Sequence, residues 1–275
     1  MVKIIAEIGI NHNGSIEECK KMMMLAKVSG CDYAKIQKRN PDVCVPEHQK
    51  SVMRQTPWGE MTYLEYKHRM EFNEEQIKEL CDFAKEIDIE FFASVWDLDS
   101  VALMAKYTKI VKLGSPVIND LELLKATRAA FDYVVMSTGM STEEEIEKAV
   151  EACNPDVIMH TNSTYPCPEE ELNLRYIEWL KTKYPTKSIG YSGHEYRLAT
   201  TTAAVALGAE WVERHITLDR NTWGSDHKSS IEPAGLFSLV LDIKAVEKSR
   251  QYEPQSRMQF EGENAKKKTL RRDIK

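Results

Sequence analysis

Short runs rich in apolar and β-branched residues recur along the chain, and each is followed by a longer stretch whose apolar positions have helical spacing. Eight runs read as strands: 3–10 (KIIAEIGI), 32–37 (DYAKIQ), 89–95 (IEFFASV), 109–115 (KIVKLGS), 132–138 (DYVVMST), 157–162 (VIMHTN), 187–192 (KSIGYS) and 211–217 (WVERHIT). Helical periodicity falls at 15–28, 73–86, 100–107, 121–130, 141–153, 169–183, 195–207 and 234–248. Helix-start signals support two of these, a capping box from Ser141 to Glu144 and Asn73 before the acidic turn NEEQ. The strand runs are too apolar for a sheet with one wet face. Eight strand-then-helix units in a row predict a closed parallel (β/α)8 TIM barrel over 1–250. The rival, an open doubly wound sheet, lacks the glycine fingerprint after its first strand.

Two segments break the rhythm. Residues 38–72, with prolines, a TPWG turn and many aromatics, form an insertion after the second strand that is either functional or a packing excursion. Residues 251–275 are polar, contain KKKTLRR, and read as a solvated basic tail outside the barrel.

Composition narrows the function classes. A formal charge of -6 disfavours nucleic acid as a partner, because phosphate-backbone binding needs a basic face. No apolar run reaches the ~18–20 residues of a membrane span. The six cysteines include no CxxC pair, which points to a reduced, cytoplasmic protein.

In a parallel barrel the C-terminal strand ends share one mouth, where active sites of this fold are built. The predicted mouth collects Glu7, Asn11 and His12; Lys35 and Gln37; Ser94; Lys112 and Ser115; Ser137 and Thr138; 160–165; Ser192 and His194; His215; and, beyond the last strand, Asp219 and Asp226. Lys35 and Lys112 lie inside strand-like runs, where an ammonium needs a partner or water. Each is either functional or half of a buried ion pair. Together with the serines they suggest a site for carboxylate or phosphate oxygens. His194 and His215 follow neighbouring strands and can converge, as hydrogen-bonding residues or as ligands of a divalent ion. His12 reads as a turn residue, His160 as a packed strand residue, and the methionines of KKMMML as core.

The segments AEIGINHNGS, AKIQ, VKLGS, VVMSTGMS, STYPCP, GYSGHE, ERHITLDR and GSDHKSSIEP resemble, in order and spacing, signatures of the sialic acid synthase family. That family comprises the N-acetylneuraminate, legionaminate and pseudaminate synthases. The resemblance implies a barrel that condenses phosphoenolpyruvate with an open-chain aldose, an N-acyl hexosamine, giving phosphate and a nonulosonic 2-keto-3-deoxy acid. It implies Mn(II), with Mg(II) or Co(II) as substitutes, held by His194 and His215. It assigns Glu7, Lys35, Lys112 and His215 to catalysis, and Ser94, Ser115, Ser137 and Ser192 to phosphoenolpyruvate. Tyr165 and Asp226 match sugar-contacting positions, and Ser163 stands where the family often has Asn, with Asn162 displaced by one. GSDH replaces the more usual GPDH.

Full-length members continue into an antifreeze-like domain that reaches across a homodimer to the sugar's acyl group. This chain is expected to lack that domain. Either its barrel accepts a different aldehyde sugar or a separate lid chain completes it. Two alternatives accompany the resemblance: condensation with a phosphorylated or non-aminated aldose, and a non-catalytic sugar-binding barrel.

Overall fold

The computed structural model describes residues 1–250 and 260–270. Its strands are β1 (Lys3–Gly9), β2 (Tyr33–Lys38), β3 (Met53–Thr56), β4 (Gly59–Thr62), β5 (Glu90–Val95), β6 (Ile110–Leu113), β7 (Tyr133–Ser137), β8 (Val157–Thr161), β9 (Ser188–Gly193) and β10 (Trp211–His215). All but β3 and β4 close into one parallel barrel in the order β1-β10-β9-β8-β7-β6-β5-β2. The eight predicted strands are these eight, shifted at their ends by a residue or two.

Period-two alternation explains the barrel's contents. Outward residues such as Ala34, Ile36, Ala93, Val111, Val134 and Val212 pack under the surrounding helices, with Met22, Met23, Ile77 and Leu124 in the same cluster. The KKMMML methionines are thus core at Met22 and Met23, while Met24 is exposed. Inward residues near the strand starts form an apolar floor of Ile5, Phe92, Val135, Val157, Met159 and Trp211, with Tyr33, Ile110 and Tyr133 against it. Moving two residues along from Ile5, Tyr33, Phe92, Ile110 and Trp211 reaches Glu7, Lys35, Ser94, Lys112 and Glu213. The inner face therefore changes from oily to ionic within one step of the pleat.

Several helix boundaries differ from expectation. The helix predicted from Ser141 begins at Glu143, and its capping box is Thr142 with Glu145. Ser141 instead donates its hydroxyl to the Gly139 carbonyl, which leaves Thr142 to cap the first turn. The helix expected over 195–207 is shorter, Ala199–Ala206. Glu195 is withheld from it by the buried Arg214 guanidinium, 3.0 Å away. The expected 169–183 helix is a 3-10 turn at Glu169–Glu171 followed by Tyr176–Lys183.

The insertion is structured. It holds helices Pro41–Cys44 and Glu47–Lys50, the antiparallel β3–β4 hairpin and helix Tyr63–Met70, whose Tyr66 and Met70 pack with Ile10. In the tail, Glu261–Leu270 is a helix, and the rest of that predicted segment, 251–259 and 271–275, lies outside the described residues. Among the described residues no helix is long and apolar enough to cross a membrane.

His12 is a turn residue as expected, but a fully buried one. Its Nδ1 accepts from the Gly14 amide at 3.0 Å and its ring stacks on Phe72 at 4.3 Å. Burial lowers its pKa to about 3, with Arg39 adding to the effect and the Gly9 carbonyl opposing it. Burial likewise lowers His160 and His227. An unfolded chain therefore binds more protons than the folded one below the ordinary value of 6.5. Stability is expected to be full above pH 6.5 and to fall as pH drops from there towards 3. A melting-temperature series checks this, with a shallower decline expected for His12→Gln; a flat wild-type profile down to pH 4.5 contradicts it.

Candidate active site

Four buried charges form a layer above the apolar floor. Lys35 Nζ lies 2.5 Å from Glu7 Oε2 and 3.7 Å from Glu213 Oε1, while Lys112 Nζ lies 2.6 Å from the same Glu213 oxygen. Register places Glu7 beside Lys35, Ser94 beside Lys112, and Ser192 beside Glu213. Lys35 also donates to Ser94 Oγ at 2.7 Å, and Ser192 Oγ donates to Glu213 at 3.3 Å. Burial pushes Lys112 below its ordinary value against the pull of Glu213. For Glu213, burial acts to raise the pKa, but Lys112 and Lys35 prevail and hold the carboxylate low. Both lysines are thus paired inside the barrel and also line its cavity. A lysine has three donors, so each retains capacity for an incoming oxygen.

The cavity above this layer holds about 350 Å³ and is bounded by Glu7, Lys35, Ser94, Lys112, Ser115, Ser137, Ser163, Tyr165, Ser192, His194, His215 and Asp226. Every residue to which the family resemblance gives a site role reaches this one chamber, whereas Asn11, His12, Thr138, His160, Asn162, Thr164 and Asp219 of the predicted mouth do not line it. Inside it, Glu213 Oε2, Ser137 Oγ and His215 Nδ1 are buried without hydrogen-bond partners. Unpaired buried polar atoms are costly, and their concentration at one mouth marks a place shaped for polar ligand atoms.

The two histidines converge. Their ring centroids are 5.6 Å apart, and the Tyr165 hydroxyl lies between them, 2.6 Å from His194 Nε2 and 3.5 Å from His215 Nε2. His194 Nδ1 is 2.5 Å from the Asn162 carbonyl, to which it donates. That bond fixes the tautomer and leaves Nε2 as a lone pair facing the chamber. Burial, and then the neighbouring His215, lower His194 to about 3, so the ring is neutral. Asp226 Oδ2 stands 3.8 Å from His215 Nδ1. Among the described residues no group of three or more His, Cys, Asp or Glu side chains could hold a metal. The donor set fits an ion with two protein imidazoles whose remaining positions are filled by substrate or water.

Residues 22–254 match the family model described as the NeuB family. The chain belongs to the NeuB family. It is 39% identical over 255 residues to N-acetylneuraminate-9-phosphate synthase from Mus musculus, covering 90% of this chain and 70% of that protein. It is 34% identical over 256 residues to N,N'-diacetyllegionaminic acid synthase from Campylobacter jejuni, covering 90% and 76%. The solved structure of N-acetylneuraminic acid (sialic acid) synthetase from Leptospira borgpetersenii, in complex with citrate, superposes with a TM-score of 0.86 at 30% identity over 98% of this chain and 93% of that one.

The loop after β8 in this NeuB-family chain resolves the displaced asparagine. Asn162 turns away from the chamber, donating to the Glu171 carbonyl at 3.2 Å and accepting from the Thr164 amide at 2.9 Å. Ser163 takes the place on the chamber wall. Ser115 Oγ accepts from the Gly139 amide at 2.9 Å, which ties two neighbouring loops together at the rim. His160 points out of the chamber and bonds the Leu172 carbonyl at 2.7 Å.

Sequence reasoning passed over Glu213, Arg39 and Lys67, all of which line the chamber. Glu213 had a signal: it precedes His215 by two positions in one strand, so both face the same side. Arg39 and Lys67 had none, because the folded insertion brings them to the mouth.

Proposed function

We propose that this chain joins phosphoenolpyruvate to the aldehyde of an open-chain N-acyl hexosamine, giving a nonulosonic 2-keto-3-deoxy acid and phosphate. As a NeuB-family member it is a phosphoenolpyruvate-dependent transferase of the sialic acid synthase type. The observation that carries the reading is the single chamber in which a buried lysine–glutamate layer, strand-end serines and two converging imidazole edges meet.

In this reading Lys35, Lys112, Ser94, Ser115, Ser137 and Ser192 bind the carboxylate and phosphate of phosphoenolpyruvate, with the unpartnered Ser137 hydroxyl as a ready donor. His194 and His215 would hold a divalent ion, Mn(II) by resemblance, which supplies Lewis-acid polarisation of the aldehyde. The enol C3 bonds to the aldehyde carbon, whose oxygen takes up a proton. Water adds to the electron-poor C2, and the resulting adduct collapses to the ketone as phosphate leaves with the C2–O bond. We assign Glu7, in register with His215, to holding that water and accepting its proton. Tyr165, Asp226 and Ser163 bound the wall where the sugar hydroxyls lie.

The mouse relative's name places a phosphate on its product, which favours a phosphorylated acceptor as a second reading. The test is phosphate release from phosphoenolpyruvate, with Mn(II), across N-acyl hexosamines, their phosphates and simple aldoses. Release coupled to keto-acid formation is expected only when an acceptor is present. Silence across the whole panel defeats the proposal.

A further inference from the structure

The two histidines that converge in the chamber sit where the sheet stops joining their strands. The β9–β10 ladder ends at the pair Gly193 and Arg214, and His194 and His215 each lie one residue beyond it. His215 is still paired on its other side, with Glu7 of β1, whereas His194 has left the sheet. The ties of His194 itself run to the loop after β8: its carbonyl accepts from the Cys167 amide at 3.1 Å, and its Nδ1–H goes to the Asn162 carbonyl. Two nitrogens that share one ion must lie within about 4 Å of each other, so the spacing of the two strand ends has to be fixed by something other than the ladder.

The residues next to the histidines supply that link on the outer face of the barrel. Arg214 Nη1 donates to Glu195 Oε1 at 3.0 Å and to Thr201 Oγ1 at 2.6 Å, and its Nη2 donates to the Glu195 main-chain carbonyl. The guanidinium that precedes His215 thus grips both the side chain and the backbone of the residue that follows His194. The carboxylate is fixed in turn. Its Oε1 accepts from the Thr200 and Thr201 hydroxyls at 2.7 and 3.1 Å, and its Oε2 accepts from the Tyr191 hydroxyl at 2.9 Å. Glu195 is 0% exposed and Arg214 2%, so water does not loosen these charge-assisted bonds. Gly193 belongs to the same arrangement. A Cβ there would lie 2.7 and 3.0 Å from the Glu195 carboxylate oxygens and 2.8 Å from the Tyr191 ring, so the carboxylate folds back over the chain where only glycine leaves it room. A buried pair kept for stability alone gains little over apolar residues of like size, and this pair stands immediately beside both histidines.

We propose that Glu195 and Arg214 are positioning residues, a clamp behind the chamber that sets the separation of His194 and His215 and so prepares them to share one divalent ion. It rests on the reading of these histidines as metal ligands. Glu195, Arg214 and Tyr191 do not line the chamber, and Lys35 and Lys112 stand away from them on β2 and β6. A disturbed clamp therefore weakens the ion and spares phosphoenolpyruvate.

The test is calorimetry of the full chain, of Glu195→Gln and of Tyr191→Phe, with Mn(II) and, separately, with phosphoenolpyruvate in the absence of metal. Glu195→Gln keeps the shape and removes the charge that Arg214 grips, whereas Tyr191→Phe removes one hydroxyl from the carboxylate. The Kd for Mn(II) is expected to rise about 10–100-fold in the first and by a smaller factor in the second, with the Kd for phosphoenolpyruvate unchanged in both. Unchanged Mn(II) binding in Glu195→Gln, or Mn(II) and phosphoenolpyruvate weakened by the same factor, overturns the clamp, because a merely structural pair would spare both ligands or loosen both. If Glu195→Gln shows no cooperative urea transition, Tyr191→Phe decides, and Mn(II) binding equal to that of the unaltered chain overturns the clamp. If the unaltered chain binds no Mn(II), the metal reading fails by itself, and the clamp is judged by NMR. The His194 Nδ1–H signal, assigned by its absence in His194→Ala, should then exchange with water about tenfold faster in the variants, and an unchanged exchange rate overturns the positioning role.

Discussion

Glu213→Gln is expected to lower folding stability by about 3–5 kcal/mol and to remove turnover, although Glu213 was not among the residues singled out from the sequence. Its carboxylate is 4% exposed and serves two ammonium groups, at 2.6 Å from Lys112 and 3.7 Å from Lys35. Gln keeps the shape and removes the charge. Two buried ammonium groups are then left with Glu7 alone, and breaking a buried pair from one side is the costly case. The shift should appear in the urea midpoint with an unchanged slope. Because the deficit is one negative charge beside a polar chamber, phosphate or phosphoenolpyruvate should restore more stability to Glu213→Gln than to the unaltered chain. Adding Lys112→Met should recover part of the loss, since it removes the stranded cation. A midpoint that does not move on Glu213→Gln, or a double variant whose losses simply add, would show that the four residues do not act as a charge network.

The reason Glu213 escaped notice says how much of this site is legible in a sequence. Parallel strands covered on both faces are apolar along their length, so KIIAEIGI or DYVVMST stand out, and the eightfold alternation then implies closure. The same background made Lys35 and Lys112 conspicuous. Glu213 sits in WVERHIT beside Arg214, two opposite charges adjacent in the interior of one predicted strand. The structure splits that pair across the sheet: Glu213 faces inward to Lys112, and Arg214 faces outward to Glu195. The two-residue spacing to His215 gives Glu213 its face, but the partners of Glu213 and Arg214, 101 and 19 residues away, are not written locally. Arg39 and Lys67 are a further case, since they reach the chamber only when the insertion folds over the mouth. Local signals also erred by one residue where two caps compete, as with Ser141 and Thr142.

His194→Ala and His215→Ala are each expected to lower metal-dependent kcat/KM by about a thousandfold or more, on the scale of the several kcal/mol that Lewis-acid polarisation contributes. The argument starts from protonation. His194 is neutral, donates Nδ1–H to the Asn162 carbonyl, and presents Nε2 to the chamber, so its lone pair is positioned before any ion arrives. His215 presents its own Nε2 from the adjacent strand, and the Tyr165 hydroxyl fills the space between the two. An ion and that hydroxyl compete for the same lone pairs. Tyr165→Phe should therefore bind Mn(II) more tightly than the unaltered chain, even where loss of a sugar contact slows turnover. Two imidazoles are few ligands, so phosphoenolpyruvate oxygens should supply others, and by linkage Mn(II) and phosphoenolpyruvate should each strengthen binding of the other by one common factor. Calorimetry of Mn(II) with and without phosphoenolpyruvate measures that factor directly and does not depend on turnover. Equal Mn(II) binding by His194→Ala and the unaltered chain would assign the histidines to sugar hydrogen bonding, and the chamber's electrophilic help would then have to come from Lys112 and Lys35.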